Sequence, residues 1–174
     1  AYGVVANISL VAVALFNGIA QGSQPLISES YGKGRMQDVR YVVGLAFKTA
    51  IGLAVIIIAA IYIWSDPIAS IFNSEKNMEL ASYAREGIRL YFLGFMFAGI
   101  NIIGTAALSA VEAVKWAFTA SIMRGFVAIL IFAFVLSALF GMTGVWLAFP
   151  AAELVTMTLS IIGMKKSIAV SKTT

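Results

Sequence analysis

Five stretches of this sequence, about residues 3–28, 41–64, 88–110, 116–140 and 142–163, are each apolar over the roughly 20 residues an α-helix needs to cross a bilayer. Hydrocarbon offers no partner to an unpaired N–H or C=O, so such a chain is restricted to helices that satisfy their own backbone. The expected fold is an all-α membrane protein, a single-domain bundle of five transmembrane helices over residues 1–174. Composition agrees: 61% of residues are hydrophobic and 11% charged, whereas soluble domains are roughly half apolar and about a quarter charged.

The formal charge of +4 is small and tied to the span ends, which excludes the basic stripe expected of a nucleic-acid partner. The partners expected from the surface are membrane lipids. With neither cysteine nor histidine, disulfides, thiolate chemistry and the commonest general base are excluded. The eight carboxylates are scattered. No metal site is read from them, and no cofactor is expected.

Between the first two spans lies Glu29–Arg40, polar and basic. Residues 65–87 form a longer connection that opens on a turn-like Ser65-Asp66-Pro67. Within it Met78, Ala81, Ala84 and Ile88 recur at helical spacing, which predicts a short interfacial helix leading into the third span, with Ser74 and Glu75 suiting its N-terminus. A short hinge is expected around Val111–Lys115, and a tight turn at Gly141.

Lys33, Arg35, Arg40, Lys115, Lys165, Lys166 and Lys172 fall on one side of this topology, and Lys76, Arg85 and Arg89 on the other. The positive-inside rule then puts the N-terminus outside and the C-terminus in the cytoplasm of a multi-pass, prokaryotic cell-membrane protein. Trp64 and Trp146 are expected near the outer interface and Trp116 near the inner one. An odd number of spans and the absence of an initiator methionine point to a piece of a larger protein. A processed small membrane protein is the alternative.

The first span carries a polar, proline-broken run. Asn17, Gln21, Gln24 and Ser28 keep to one sector of a 3.6-residue helix, beside a stripe of small residues, Ala14, Gly18 and Gly22, suited to close helix packing. Pro25 cannot donate to the Gln21 carbonyl, so a kink is expected there, and Pro150 is the corresponding breaker in the last span. The third span repeats the arrangement with Asn101, Thr105, Ser109 and Glu112, and the last adds Glu153, Thr156 and Ser160. Polar groups at such depth face a water-filled path or bury against neighbouring helices. The candidate substrate-binding set is Asn17, Gln21, Gln24, Asn101, Thr105 and Glu153.

Counted along the helices, Lys48, Arg124 and Glu153 all lie about 11 to 15 Å into the membrane. A carboxylate there needs a partner, so Arg124 or Lys48 is expected to pair with Glu153; Lys48 has the alternative of snorkelling to the headgroups. Glu29 and Glu112, beside Lys33, Arg35 and Lys115, are candidates for an inner gate or for ordinary surface pairing.

The run Gly18-Ile19-Ala20-Gln21-Gly22-Ser23-Gln24-Pro25-Leu26-Ile27-Ser28, followed by Tyr31-Gly32-Lys33-Gly34-Arg35, resembles the C-terminal lobe of multidrug and toxic compound extrusion (MATE) transporters. So do Ser121-Ile122-Met123-Arg124, Phe140-Gly141-Met142-Thr143-Gly144-Val145-Trp146 and Pro150-Ala151-Ala152-Glu153. The resemblance implies helices eight to twelve of a twelve-helix antiporter. It further implies two lobes about a central cavity and alternating access driven by a proton or sodium gradient. The position where sodium-coupled members carry a mid-membrane carboxylate is Asn101 here, which turns attention to the lobe this sequence lacks.

The expected function is that of a secondary-active exporter fragment that exchanges small amphiphilic, cationic organic substrates for H+ or Na+ beside an N-terminal lobe or a second copy. The alternatives are a lipid-linked saccharide flippase of the same wider superfamily, a non-transporting assembly module, and an intramembrane hydrolase built on a serine and Lys48. The expectation is that the chain is not an enzyme.

Overall fold

A computed structural model describes residues 2–71 and 78–169, all of them in helices or the turns between helices. The elements are α1 (Tyr2–Gly32), α2 (Met36–Ile71), α3 (Met78–Ala110), α4 (Val114–Ile122), a π-helical turn (Met123–Val127), α5 (Ala128–Met164) and a second π-helical turn (Lys165–Ala169). Four helical segments are long and apolar enough to cross a membrane, the fourth running over Val114–Ile168.

That fourth segment is a hairpin. Gly141 leaves helical geometry, at φ 59° and ψ −130°, a region open in practice to glycine alone. Beyond it Gly144 lies against the Leu136 carbonyl, so close that a Cβ there would sit 1.8 Å from the oxygen. Farther from the turn Arg124 meets Glu153, and Trp116 covers Gly163. Each step away from Gly141 on one arm is matched on the other, so two antiparallel arms cross where one segment was counted. The five expected spans are therefore present.

α3 is the central helix. A Cβ at Gly87 would lie 2.3 Å from Trp146, one at Gly94 2.7 Å from Phe149, and one at Gly99 2.7 Å from Phe16. The second hairpin arm and α1 both run parallel to α3 and approach through its glycines, while α2 packs antiparallel against its other side. Phe16, Phe92, Phe95, Ile88 and Ile103 are fully buried at this centre.

Two turns end helices in the same way. Arg35 N–H donates to Ser30 O and Gly34 N–H to Tyr31 O, both at 2.9 Å, with Gly34 at φ 68°. The Ala113 and Glu112 amides repeat the pattern onto Leu108 and Ser109 at 2.8 and 3.2 Å. Both are Schellman caps, but the second places Glu112, at φ 58°, where glycine is favoured.

Several expectations change. Ser65-Asp66-Pro67 is no turn: α2 runs through Pro67 to Ile71, and Ser65 and Asp66 hold α3 instead. Arg89 donates through Nε and Nη2 to Ser65 Oγ (3.2 and 2.8 Å) and stacks its guanidinium on Tyr62, while Arg85 pairs with Asp66. The separate interfacial helix is replaced by the first turns of a continuous α3, because Met78–Gly87 packs in line with the span. The proposed cap at Ser74 and Glu75 lies outside the described residues, as do Lys76 and Lys172. Among the described residues the small-residue stripe of α1 meets no neighbour. No neighbour lies within 4 Å of a Cβ built on Gly18 or Gly22, and α1 packs instead through Ala12, Phe16, Ala20 and Ile27.

α1 and α5 continue through Pro25 and Pro150 as helices. Lys33, Arg35, Arg40, Lys115, Lys165 and Lys166 gather at the Gly34 end of the bundle, and Arg85 and Arg89 toward the Gly141 end. Trp64 is exposed, whereas Trp146 stands edge-on to Tyr91 (6.3 Å between ring centroids) over Gly87. Trp116 lies under the Lys166 ammonium at 5.2 Å.

Candidate functional site

α1 packs on α2 and α3, and the first hairpin arm packs on the second. Between α1 and that first arm opens a cleft of about 500 Å3, floored by α3 and the second arm. Asn17, Gln21 and Gln24 form its α1 wall, and Thr105 and Ser109 part of its floor. Ser121 and Arg124 face them from the opposite side, with Phe149 and Glu153 below. The helical spacing that set the α1 amides on one face thus delivers them to one wall.

None of those three amides hydrogen-bonds to another described residue. Asn17 and Gln21 are exposed, and Gln24 is half-buried. An unpaired amide in contact with hydrocarbon costs several kcal/mol, about the worth of a lost hydrogen bond on each side. Their place on the cleft wall, rather than on the core-packing face of α1, is what makes them tolerable.

Behind the wall the polar groups bond to one another. Arg124 Nε donates to Glu153 Oε1 at 2.7 Å, with the two side chains 28% and 3% exposed. Asn101 Nδ2 donates to Glu153 Oε2 at 2.7 Å and to the Glu153 main-chain carbonyl at 2.8 Å. Ser160 Oγ donates to Asn101 Oδ1 at 3.2 Å, and Thr156 Oγ1 back to Ala152 O at 2.9 Å. The amide orientation follows from this network: turned over, Asn101 would set its oxygen against both Glu153 oxygens.

Asn101 is therefore not part of the cleft wall. It is fully buried, clamped between α3 and the second hairpin arm, and Thr105 and Ser109 represent α3 in the cleft instead. Lys48 is not brought to Glu153 either. It is exposed on α2, which packs on α1 and α3, and the partner chosen from the two candidates is Arg124. Ser28 donates to the Ala110 carbonyl at 3.4 Å. Glu29 bonds Lys33, four residues on in the turn after α1, and Arg35 pairs with Asp38 at 3.5 Å. These acidic residues thus pair locally along the chain rather than across the cleft. Among the described residues no group of three carboxylates or other metal-ligating side chains comes together.

One element had no signal in the sequence. Arg124 lies in the π-helical turn Met123–Val127, a one-residue widening of the helix that is uncommon and recurs at functional sites. A second recess of about 540 Å3, apolar and lined by Ile88, Tyr91, Ile129 and Trp146, opens toward the Gly141 end; Phe149 borders both it and the polar cleft.

The lobe has known counterparts. It is 25% identical over 155 residues to the multidrug export protein MepA of Staphylococcus aureus (strain bovine RF122 / ET3-1), a match that covers 87% of this chain and 33% of that protein. It superposes with a TM-score of 0.86 on an inward-facing multidrug resistance MATE family transporter of the MOP superfamily, at 17% identity, covering 98% of this chain and 40% of that one. On an outward-facing form the TM-score is 0.85, at 16% identity, with 99% and 39% covered. The chain thus spans about a third of the curated relative and two fifths of the solved transporters. The MatE family model matches residues 1–135, well over half of the sequence, and the chain belongs to that family.

Proposed function

We propose that this chain is a fragment of the C-terminal lobe, helices eight to twelve, of a secondary-active multidrug exporter, and that the cleft between α1 and the first hairpin arm is its part of the substrate path. The observation that carries the reading is the row of unbonded amides at Asn17, Gln21 and Gln24, held at mid-span on the wall of a 500 Å3 cleft. The substrates are small amphiphilic organic compounds, cationic ones included, exchanged for protons or sodium by alternating access. Support comes from the lobe's near-equal likeness to inward-facing and outward-facing transporters, as expected if it tilts as one body.

The partner lobe closes the other side of the cleft. The basic Gly34 end faces the cytoplasm, following the excess of Lys and Arg there. A flippase for lipid-linked saccharides would need several cations for its pyrophosphate, and Arg124 is the one basic side chain in the cleft wall. An assembly module would bury the α1 amides against helices, and within this lobe they are unbonded.

The test is gradient-driven movement of a fluorescent cationic dye in proteoliposomes of the full-length protein, with Gln21→Cys as reporter; this chain brings no cysteine of its own. An imposed proton or sodium gradient is expected to drive transport that a membrane-impermeant thiol reagent blocks in the variant. Transport that is indifferent to modification at position 21 would refute the assignment of the cleft.

A further inference from the structure

Among the described residues the ring of helices around α3 is open in two places. One is the cleft between α1 and the first hairpin arm. The other lies on the opposite side of α3, where α2 and the second arm run apart and meet chiefly at the π-helical turn Lys165–Ala169. That second opening is a groove of about 340 Å3 at the Gly34 end of the bundle. Arg40, Gly44 and Phe47 line it from α2, and Ile161, Lys165 and Ile168 from the second arm. Both sets follow i, i+4, i+7, the spacing of one helix face. The space between them is left by Gly44, where a Cβ would meet nothing within 4 Å.

Charge in this groove is sorted by depth. Arg40 lies in the second turn of α2 and Lys165 just past the end of α5, so both cations stand at the mouth. Phe47 lies about 10 Å along α2 from Arg40, and Ile161 one turn inside Lys165. Arg40 is already anchored: its Nη2 donates to Ile168 O at 3.2 Å, which ties the two walls together and fixes the guanidinium at the mouth. Other cations of this end are engaged elsewhere, Lys33 with Glu29, Arg35 with Asp38, and Lys166 over the Trp116 ring. Among the described residues no carboxylate lines the groove.

We propose that this groove binds one anionic phospholipid, its phosphate held by Arg40 and Lys165 and the first part of an acyl chain laid along Phe47 and Ile161. Two cations alone would serve any phosphate; apolar walls directly beneath them suit an anion that carries hydrocarbon, as lipids do at basic pockets between spanning helices. The guanidinium contributes a planar fork to the phosphate oxygens and the ammonium a movable point charge. The groove stands across α3 from the cleft that the partner lobe is proposed to close, so the lipid site is independent of the substrate path. A lipid seated there would fill the gap between α2 and the second arm and fasten them above and below the Arg40 contact.

The probes are dioleoyl-phosphatidylglycerol and dioleoyl-phosphatidylcholine, which share their chains and differ in headgroup charge. Each is titrated into the full-length protein in non-ionic detergent, and occupancy is read by native mass spectrometry. Phosphatidylglycerol is expected to half-fill its first site at a concentration about tenfold or more below phosphatidylcholine, the scale of two basic side chains at an anionic headgroup. In the double variant Arg40→Gln, Lys165→Gln that ratio should fall to about one. Gly44→Leu, which keeps both cations and fills the groove, should weaken phosphatidylglycerol binding at least about fivefold. Lys33→Gln, Arg35→Gln, which removes two charges from the same end outside the groove, should leave the ratio unchanged. Equal binding of the two lipids to the unaltered protein would overturn the inference, and is the result expected if another helix of the full-length protein covers the groove. A preference that survives in either groove variant, or that the Lys33 and Arg35 variant also loses, would overturn it in favour of general attraction to a basic surface. Displacement of the lipid by inorganic phosphate at equal concentration would overturn the lipid assignment. If Arg40→Gln, Lys165→Gln fails to fold, Gly44→Leu decides alone.

Discussion

Asn101 gives both amide hydrogens to one residue, Glu153, one to the carboxylate at 2.7 Å and one to the main-chain carbonyl at 2.8 Å, across the seam between α3 and the second hairpin arm. Asn101→Leu leaves a buried carboxylate oxygen unpaired and should lower stability by about 2–3 kcal/mol, read as a drop in the thermal midpoint in detergent. Asn101→Asp should do more harm to the network, since it sets a second carboxylate against that of Glu153.

Glu153→Gln removes the counter-charge of Arg124 while keeping shape, whereas Glu79→Gln changes an exposed side chain in the first turn of α3. Transport rates should fall more than about tenfold for the first and stay within about twofold for the second. Equal rates in the two variants would contradict the role given to the buried pair.

Gly94 has no room for a side chain. A Cβ there would stand 2.7 Å from Phe149 and 3.0 Å from the Pro150 backbone, so Gly94→Val should cost about 1–3 kcal/mol or prevent folding. Gly18→Ala meets nothing within 4 Å and should leave the thermal midpoint of the lobe unchanged or slightly raised, since it adds helix propensity.

Two residues at positive φ, Gly141 in the hairpin turn and Glu112 in a helix cap, predict opposite signs. Gly141→Ala forces a Cβ onto φ 59°, ψ −130° and should destabilise the hairpin by about 1–3 kcal/mol. Glu112→Gly relieves a non-glycine residue at φ 58° and should stabilise by about 1 kcal/mol. Thermal unfolding of the paired variants reads both.

Single cysteines separate wall from scaffold. Those at positions 17 and 21 should label from water and one at position 101 should be protected, in line with their exposure and burial. Labelling at position 101 at the rate of position 21 would mean that the Glu153 network opens in the membrane.

The number of spans, the reversal at Gly141 and the pairing of Arg124 with Glu153 were legible in the residues. Hydropathy follows lipid contact directly, and a guanidinium that stays charged demands a partner at its own depth. Helix ends were less legible. Pro67 reads as a stop, yet the ion pair of Asp66 with Arg85 and the hydrogen bonds that the Ser65 hydroxyl accepts from Arg89 hold the helix to α3 there. Asn101 and Thr105 share a periodic face, but which of them meets the cleft is decided by where the second hairpin arm lies, a tertiary fact that helical spacing does not carry. Lys48 matched Glu153 in depth but not in helix neighbourhood. The π-helical turn at Arg124 has no compositional mark at all.

The unbonded amides of α1 have a consequence for how such a protein changes over generations. Asn17, Gln21 and Gln24 touch the cleft and owe nothing to the fold, while Asn101, Glu153 and Ser160 are bound to one another. If the cleft is the substrate path, as proposed, exchanges along α1 can redraw what it accepts without the loss of stability that usually accompanies a new specificity. The fold separates a lining open to drift, on α1, from a frame between α3 and the second hairpin arm that is not.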